Sequence, residues 1–106
     1  MAHLSLASWA NRVVIAPATA DILARLAAGR AEGLLDSLVL SFRGAVAVCP
    51  AMDSEMWEHA ATRRNVETLK SYGYAVWGPE KGALASGKTG WGRLLNPAEI
   101  VRLCLE

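Results

Sequence analysis

Three short apolar runs punctuate the chain, and each stops at a proline. Val13-Val14-Ile15-Ala16 meets Pro17, Val46-Ala47-Val48-Cys49 meets Pro50, and Tyr74-Ala75-Val76-Trp77 meets Gly78-Pro79. None alternates strictly between apolar and polar positions, which predicts strands covered on both faces. Between them lie segments of about 25 to 30 residues with helical spacing, long enough for the crossovers that parallel strands require. The pattern therefore predicts an α/β chain with a parallel sheet whose three prolines fall on one rim.

The crossovers carry their own stripes. Ile22, Leu23, Leu26 and Ala27 recur at spacings of three and four and stop at Gly29, and Leu34, Leu35, Leu38, Val39 and Phe42 make a second stripe. Both are expected to lie on the sheet. Thr62 to Tyr72 predicts a third helix, with Val66 and Leu69 inward, Arg63, Arg64, Glu67 and Lys70 outward, and Gly73 as its stop. Asn96 before Pro97 predicts the start of a last helix through Ile100, Val101 and Leu103. His3 to Arg12 is also expected to be helical, packing Leu6, Trp9 and Ala10.

Composition narrows the class. One hundred and six residues, 53% hydrophobic and 20% charged, predict one globular domain. A net charge of +1 with scattered basic residues gives no nucleic-acid footprint. No apolar run approaches the roughly 18 residues of a membrane span, and the opening lacks a charged segment followed by an apolar signal core. Cys49 and Cys104 have neither CxxC spacing nor a neighbouring histidine pair, so no zinc site or disulfide framework is indicated, and a reducing cytoplasm fits. Three parallel strands leave open sheet edges, which predicts either association between copies or an origin as part of a longer α/β domain. No GxGxxG or GxxxxGK[ST] pattern is present.

The segment with most chemistry is Pro50 to Trp57, reading PAMDSEMW. A strand that ends in a mixed acidic, thioether and aromatic turn sits where α/β proteins bind ligands. On the PATAD turn, Pro17 to Asp21, small residues let backbone approach a flat ring, while Thr19 or Asp21 also reads as a simple helix cap. Asp53 reads likewise as a cap for Met56-Trp57, whose side chains read as packing. The stretch Gly78 to Arg93 holds five of the nine glycines, Gly78, Gly82, Gly87, Gly90 and Gly92. That stretch predicts a mobile flap that closes over a site, or else a surface loop with solvated charges at Lys88 and Arg93.

The succession HLSLASWA (His3 to Ala10), APATADILARLAAG (Ala16 to Gly29), PAMDSEMW, ATRRNVETL (Ala61 to Leu69) and GALASGKTGWGRLLNPAEIV (Gly82 to Val101) resembles the family of homo-oligomeric flavin-containing cysteine decarboxylases. The most similar branch acts on 4′-phosphopantothenoylcysteine in coenzyme A biosynthesis. The resemblance implies a three-layer αβα, Rossmann-like (flavodoxin-like) sheet, with residues 1–106 as the C-terminal portion of a single flavoprotein domain. The N-terminal strands and the loop that grips the FMN phosphate would precede it.

The same resemblance assigns roles. His3 matches the family's catalytic histidine, although a histidine so near the start also reads as a solvent-exposed terminal residue. Pro17, Ala18, Thr19, Ala20, Asp21 and Met52 match positions that contact FMN. Asp53 stands where the family carries an asparagine that seats the substrate carboxylate, and an ionised aspartate would repel that group unless protonated or bridged. Ser86 stands where the family often carries a cysteine that returns the last proton, and a hydroxyl is a far weaker acid. Met56, Lys88 and Arg93 are the remaining candidates for holding substrate. The implied partners are a small cysteine conjugate, further copies of the chain in trimers or multiples of trimers, and a fused or separate synthetase domain. A non-catalytic or truncated member with a binding or regulatory role, and a decarboxylase of peptide C-terminal cysteines, are the alternatives.

Overall fold

The computed structural model describes the backbone of residues 5–9 and all of residues 12–106. Strand β1 (Ser5–Trp9) precedes β2 (Arg12–Ala18), helices α1 (Ala20–Ala27) and α2 (Leu34–Ser41), and strand β3 (Ala45–Pro50). Helices α3 (Ser54–Glu58) and α4 (Ala60–Ser71) lead to β4 (Ala75–Val76), the strand pair β5 (Glu80–Ala83) and β6 (Thr89–Arg93), and the final helix α5 (Pro97–Cys104). β1 to β4 form one sheet in that order, and β5 with β6 forms a separate two-stranded sheet.

The three proline-terminated runs are the parallel core of the larger sheet. Val13, Val14 and Ile15 pair with Val46, Ala47 and Val48, and Ala47 and Val48 pair with Ala75 and Val76. β2 and β3 are buried on both faces, whereas the edge strand β4 departs from the expectation, with Ala75 exposed and Val76 only partly buried. Val13, Ile15, Val46 and Val48 join Leu23, Leu26, Val39, Val66 and Leu69 on the face covered by α1, α2 and α4. Val14, Ala47 and Cys49 meet Ile100, Cys104, Leu94 and Trp77 on the other, so α5 supplies the third layer. Ile15, Leu23, Val39, Val48 and Leu69 are fully buried, each contributing about 1.5–3 kcal/mol over the exposed state.

Helix ends follow the side-chain chemistry at hand. Thr19 Oγ1 accepts from the amide of Ile22 at 3.2 Å and caps α1. Asn96 Oδ1 accepts from Ala98 at 2.9 Å and caps α5, with Pro97 in the first turn as expected. Arg12 fastens the other end of α5, donating from Nη1 to the carbonyls of Leu103 at 3.0 Å and Cys104 at 3.3 Å while lying over the Trp77 ring at 5.8 Å.

Three expectations are corrected. The opening segment is not a helix, because Ser5–Trp9 pairs antiparallel with β2 and supplies that strand's outer neighbour. The α2 stripe lies only partly on the sheet: Val39 is buried and Leu35 and Phe42 pack against the core, while Leu34, Leu38 and Leu40 are exposed. Asp36 takes an inward position instead, held by Arg25 Nη1 at 3.4 Å. The glycine-rich stretch, finally, is an ordered antiparallel hairpin closed at Leu84–Lys88, where Leu84 N–H donates to the Lys88 carbonyl at 2.8 Å.

Candidate functional site

Two neighbouring strand ends make the floor of the site. Ala18 stands opposite Pro50, and the amide of Ala51 donates to the Ala18 carbonyl at 3.1 Å, so the PATAD turn and the PAMD turn are joined directly. Beyond Ala51 the chain leaves the sheet and enters α3, whose buried Trp57 anchors it to the core. Asp53 occupies the N-cap position of α3, yet its side chain makes no capping bond. Its carboxylate is therefore free for a partner elsewhere.

The hairpin supplies that partner. β6 lies on the Met52 turn so closely that the amide of Met52 donates to the Gly92 carbonyl at 2.8 Å. A Cβ on Gly92 would fall 2.0 Å from the Met52 carbonyl oxygen, and Gly92 has φ +133°, so only glycine fits this crossing. Gly90 is close to Ser54 in the same way, with an ideal Cβ 3.2 Å from Ser54 Oγ. Gly90 and Gly92, two of the glycines that suggested mobility, thus serve close approach.

With the hairpin docked, a cavity of about 310 Å³ opens between the Ala51–Asp53 turn, Ala83–Ser86 and Gly92–Leu94. Ser86 Oγ donates to Asp53 Oδ1 at 2.6 Å across 33 residues of sequence. Beside this pair, Lys88 Nζ bonds Glu55 Oε1 at 2.8 Å, tying the hairpin tip to α3 a second time. The hydrogen bond and charge of Glu55, with Asp53 adding a smaller pull, raise the Lys88 pKa above its ordinary value. Arg93 lines the cavity wall, its side chain running over Gly82, and has no salt-bridge partner among the described residues.

Met52, Asp53, Ser86 and Arg93 are thus brought together around one cavity. Pro17, Ala18, Thr19, Ala20 and Asp21 sit on the adjoining strand end without lining it. Thr19 caps α1, and Asp21 pairs with Arg25 at 3.1 Å. Lys88 points to Glu55, and Met56 is half exposed on α3 outside the cavity wall. His3 lies outside the described residues. Glu55 and Gly92 were not singled out as site residues. The Gly90-Trp91-Gly92 triplet was the available signal for Gly92, since glycines on alternate strand positions mark a face pressed against backbone.

Comparison with known proteins places this geometry. The chain is 47% identical over 104 residues to the coenzyme A biosynthesis bifunctional protein CoaBC of Vibrio vulnificus, covering 98% of this chain and 26% of the relative. It is 46% identical over 105 residues to CoaBC of Escherichia coli, covering 99% and 26%. The chain thus spans about a quarter of the length of these relatives. Among solved structures, a cysteine-to-serine variant of PPC decarboxylase complexed with pantothenoylaminoethenethiol superposes with a TM-score of 0.84 at 35% identity, covering 90% of this chain and 55% of that one. HAL3 from Cryptococcus neoformans gives 0.78 at 37% identity, covering 90% and 47%. The likeness extends through the three-layer parallel fold, and the flavoprotein family model matches residues 1–106. The chain belongs to the flavoprotein family.

Proposed function

We propose that this chain is the C-terminal portion of an FMN-dependent decarboxylase domain that converts 4′-phosphopantothenoylcysteine to 4′-phosphopantetheine in coenzyme A biosynthesis. The observation that carries the reading is the cavity at the end of β3, where Asp53, Ser86 and Arg93 converge under a docked hairpin. The residues present fit a flat ring: Ala16, Pro17, Ala18, Ala20 and Ala51 along the joined strand ends put only small side chains on that rim. Ala18, Thr19 and Met52 would hold the ring, with the phosphate grip contributed by sequence before this portion. FMN, when bound, would supply the two-electron oxidation of the thiol-bearing carbon that lets the electrons released with carbon dioxide flow onto sulfur, and in its reduced form would return two electrons to give the saturated thiol.

The chain's own residues do the rest. Arg93, the cation in the cavity wall, pairs with the substrate carboxylate. Asp53 holds the Ser86 hydroxyl by accepting its proton in a hydrogen bond, so Ser86 Oγ is fixed as a relay between the cavity and the carboxylate. The hairpin keeps water from the reacting carbon. His3 of a neighbouring copy assists the oxidation step as base, which sets the working assembly as a trimer or a multiple of trimers. A fused or separate synthetase partner and a cytoplasmic location follow from the same pathway. Among the described residues, no helix is long and apolar enough to cross a membrane.

The test is titration of the 106-residue chain with FMN, read by flavin fluorescence and visible absorbance, followed by carbon dioxide release from the cysteine conjugate. Saturable binding with turnover supports the decarboxylase. Binding without turnover, in a chain whose Asp53 and Ser86 are satisfied by each other, favours a binding or regulatory member. No binding means that the preceding phosphate loop is indispensable.

A further inference from the structure

A second concavity of about 280 Å³ lies on the far side of β6, bounded by Trp57, Arg63, Gly78, Pro79 and Trp91. It is separate from the cavity at Asp53, because Gly92 and Arg93 line that one while Trp91 lines this one. Two indoles and one guanidinium dominate its wall. Trp57 is almost fully buried, and the Arg63 guanidinium carbon lies 4.9 Å from its ring centroid, so the cation is held beside this indole at the surface. Arg63 has no salt-bridge partner among the described residues. Trp91 is half exposed on β6.

We propose that this cup binds a small planar aromatic anion of the nucleoside monophosphate class, the ring stacking on Trp91 and the phosphate meeting the N–H edge of Arg63. A half-exposed indole is a sequence-tolerant platform for a flat ring. A guanidinium is planar, with donors paired for two oxygens of a single anionic group, and the neighbouring indole attracts the cation and limits its freedom. The volume lies at the lower end of small-molecule sites, which restricts the occupant to one ring system and one charged group. Neither Arg63 nor Trp91 touches the cavity at Asp53, so the inference stands apart from the decarboxylase reading.

The test is calorimetric titration of the 106-residue chain with adenosine 5′-monophosphate, adenosine and ribose 5-phosphate, repeated on Trp91→Ala and Arg63→Gln. Saturable binding of the monophosphate below about 10 mM is expected, with each half-molecule at least about fivefold weaker. Each substitution should weaken the monophosphate by about five- to thirtyfold. Both side chains are at the surface, and circular dichroism of the variants reports that the fold is intact. Absence of saturable heat, or unchanged affinity in both variants, overturns the proposal. FMN, which is also a planar aromatic anion, distinguishes the two cavities. Unchanged FMN affinity in Trp91→Ala supports a separate cup, whereas a loss equal to that of the monophosphate overturns it.

Discussion

Gly92→Ala tests whether close backbone approach, and not flexibility, is the reason for glycine in the hairpin. The added Cβ would lie 2.0 Å from the Met52 carbonyl oxygen, 3.1 Å from the Met52 carbonyl carbon and 3.3 Å from that of Asp53. Carbon and oxygen settle at about 3.3–3.6 Å, so β6 must retreat by more than about 1 Å. That retreat breaks the Met52 to Gly92 hydrogen bond, now 2.8 Å, at a cost of about 0.5–1.5 kcal/mol. Holding alanine at φ +133° costs about 1–3 kcal/mol more, giving about 1.5–4.5 kcal/mol for the substitution. Gly87→Ala is the control, because Gly87 has φ +89° with nothing within 4 Å of an added Cβ and should cost only about 1 kcal/mol. Urea denaturation measures both, and hydrogen exchange at the Met52 amide should accelerate only in Gly92→Ala. Equal destabilisation of the two variants, or a protected Met52 amide in Gly92→Ala, would refute the reasoning.

Arg12→Ala should cost about 1–3 kcal/mol, since it removes two donors from the α5 C-terminal carbonyls and a cation from the Trp77 face, and amide exchange in the last turn of α5 should accelerate with it. Burial, with Cys104 adding a smaller push, raises the Cys49 thiol to about 12. A raised folded-state pKa gives stability that is complete below the unfolded value near 8.5 and lost as pH climbs toward 12; unfolding free energy should therefore fall across that window in the native chain and less so in Cys49→Ala, and iodoacetamide at pH 8 should label Cys104 well before Cys49. Asp53→Asn keeps an oxygen to accept the Ser86 hydroxyl but removes a negative charge from the cavity, so the affinity for a carboxylate-bearing cysteine conjugate should rise about fivefold at low salt, whereas Ser86→Ala should leave that affinity unimproved. A carboxylate that binds Asp53→Asn no better than the native chain would remove Asp53 from contact with that group.

The parallel core was legible because strands buried on both faces leave continuous apolar runs, and Val13–Ile15 and Val46–Val48 have no other reading at that length. Helices α1 and α4 were legible for the opposite reason, since Leu23 with Leu26 and Val66 with Leu69 repeat on one face among charged neighbours. Ser5–Trp9 misled because serine, alanine and leucine in so short a run fit either period. The α2 segment misled because leucines surround it, so no stripe names the inward face, and an ion pair between Arg25 and Asp36 settled the rotation instead. Met52 and Asp53 could be placed at a strand end from sequence, but the partner of Asp53 could not. Ser86 reaches it only through a hairpin whose docking depends on two crossings by glycine, and a missing side chain carries no sign of which backbone it admits.

The site's charge balance follows from that docking and not from the strand ends. The PAMDSE turn brings two carboxylates, at Asp53 and Glu55, onto a rim whose sequence neighbours offer no cation. The hairpin tip answers both, one with a hydroxyl at 2.6 Å and one with an ammonium at 2.8 Å. Each contact is exposed and worth little alone, because solvent screens the ion pair. Their value is geometric, because two links at the tip and one backbone bond at Met52 tie the hairpin to the end of β3 and to α3 at three points. Once Glu55 has Lys88 and Asp53 has Ser86, Arg93 is the cation that the cavity wall still presents. Under the proposed function, a cavity so arranged would take an anionic group lying toward Arg93 and away from Asp53, which would place a substrate carboxylate at the β6 side of the site.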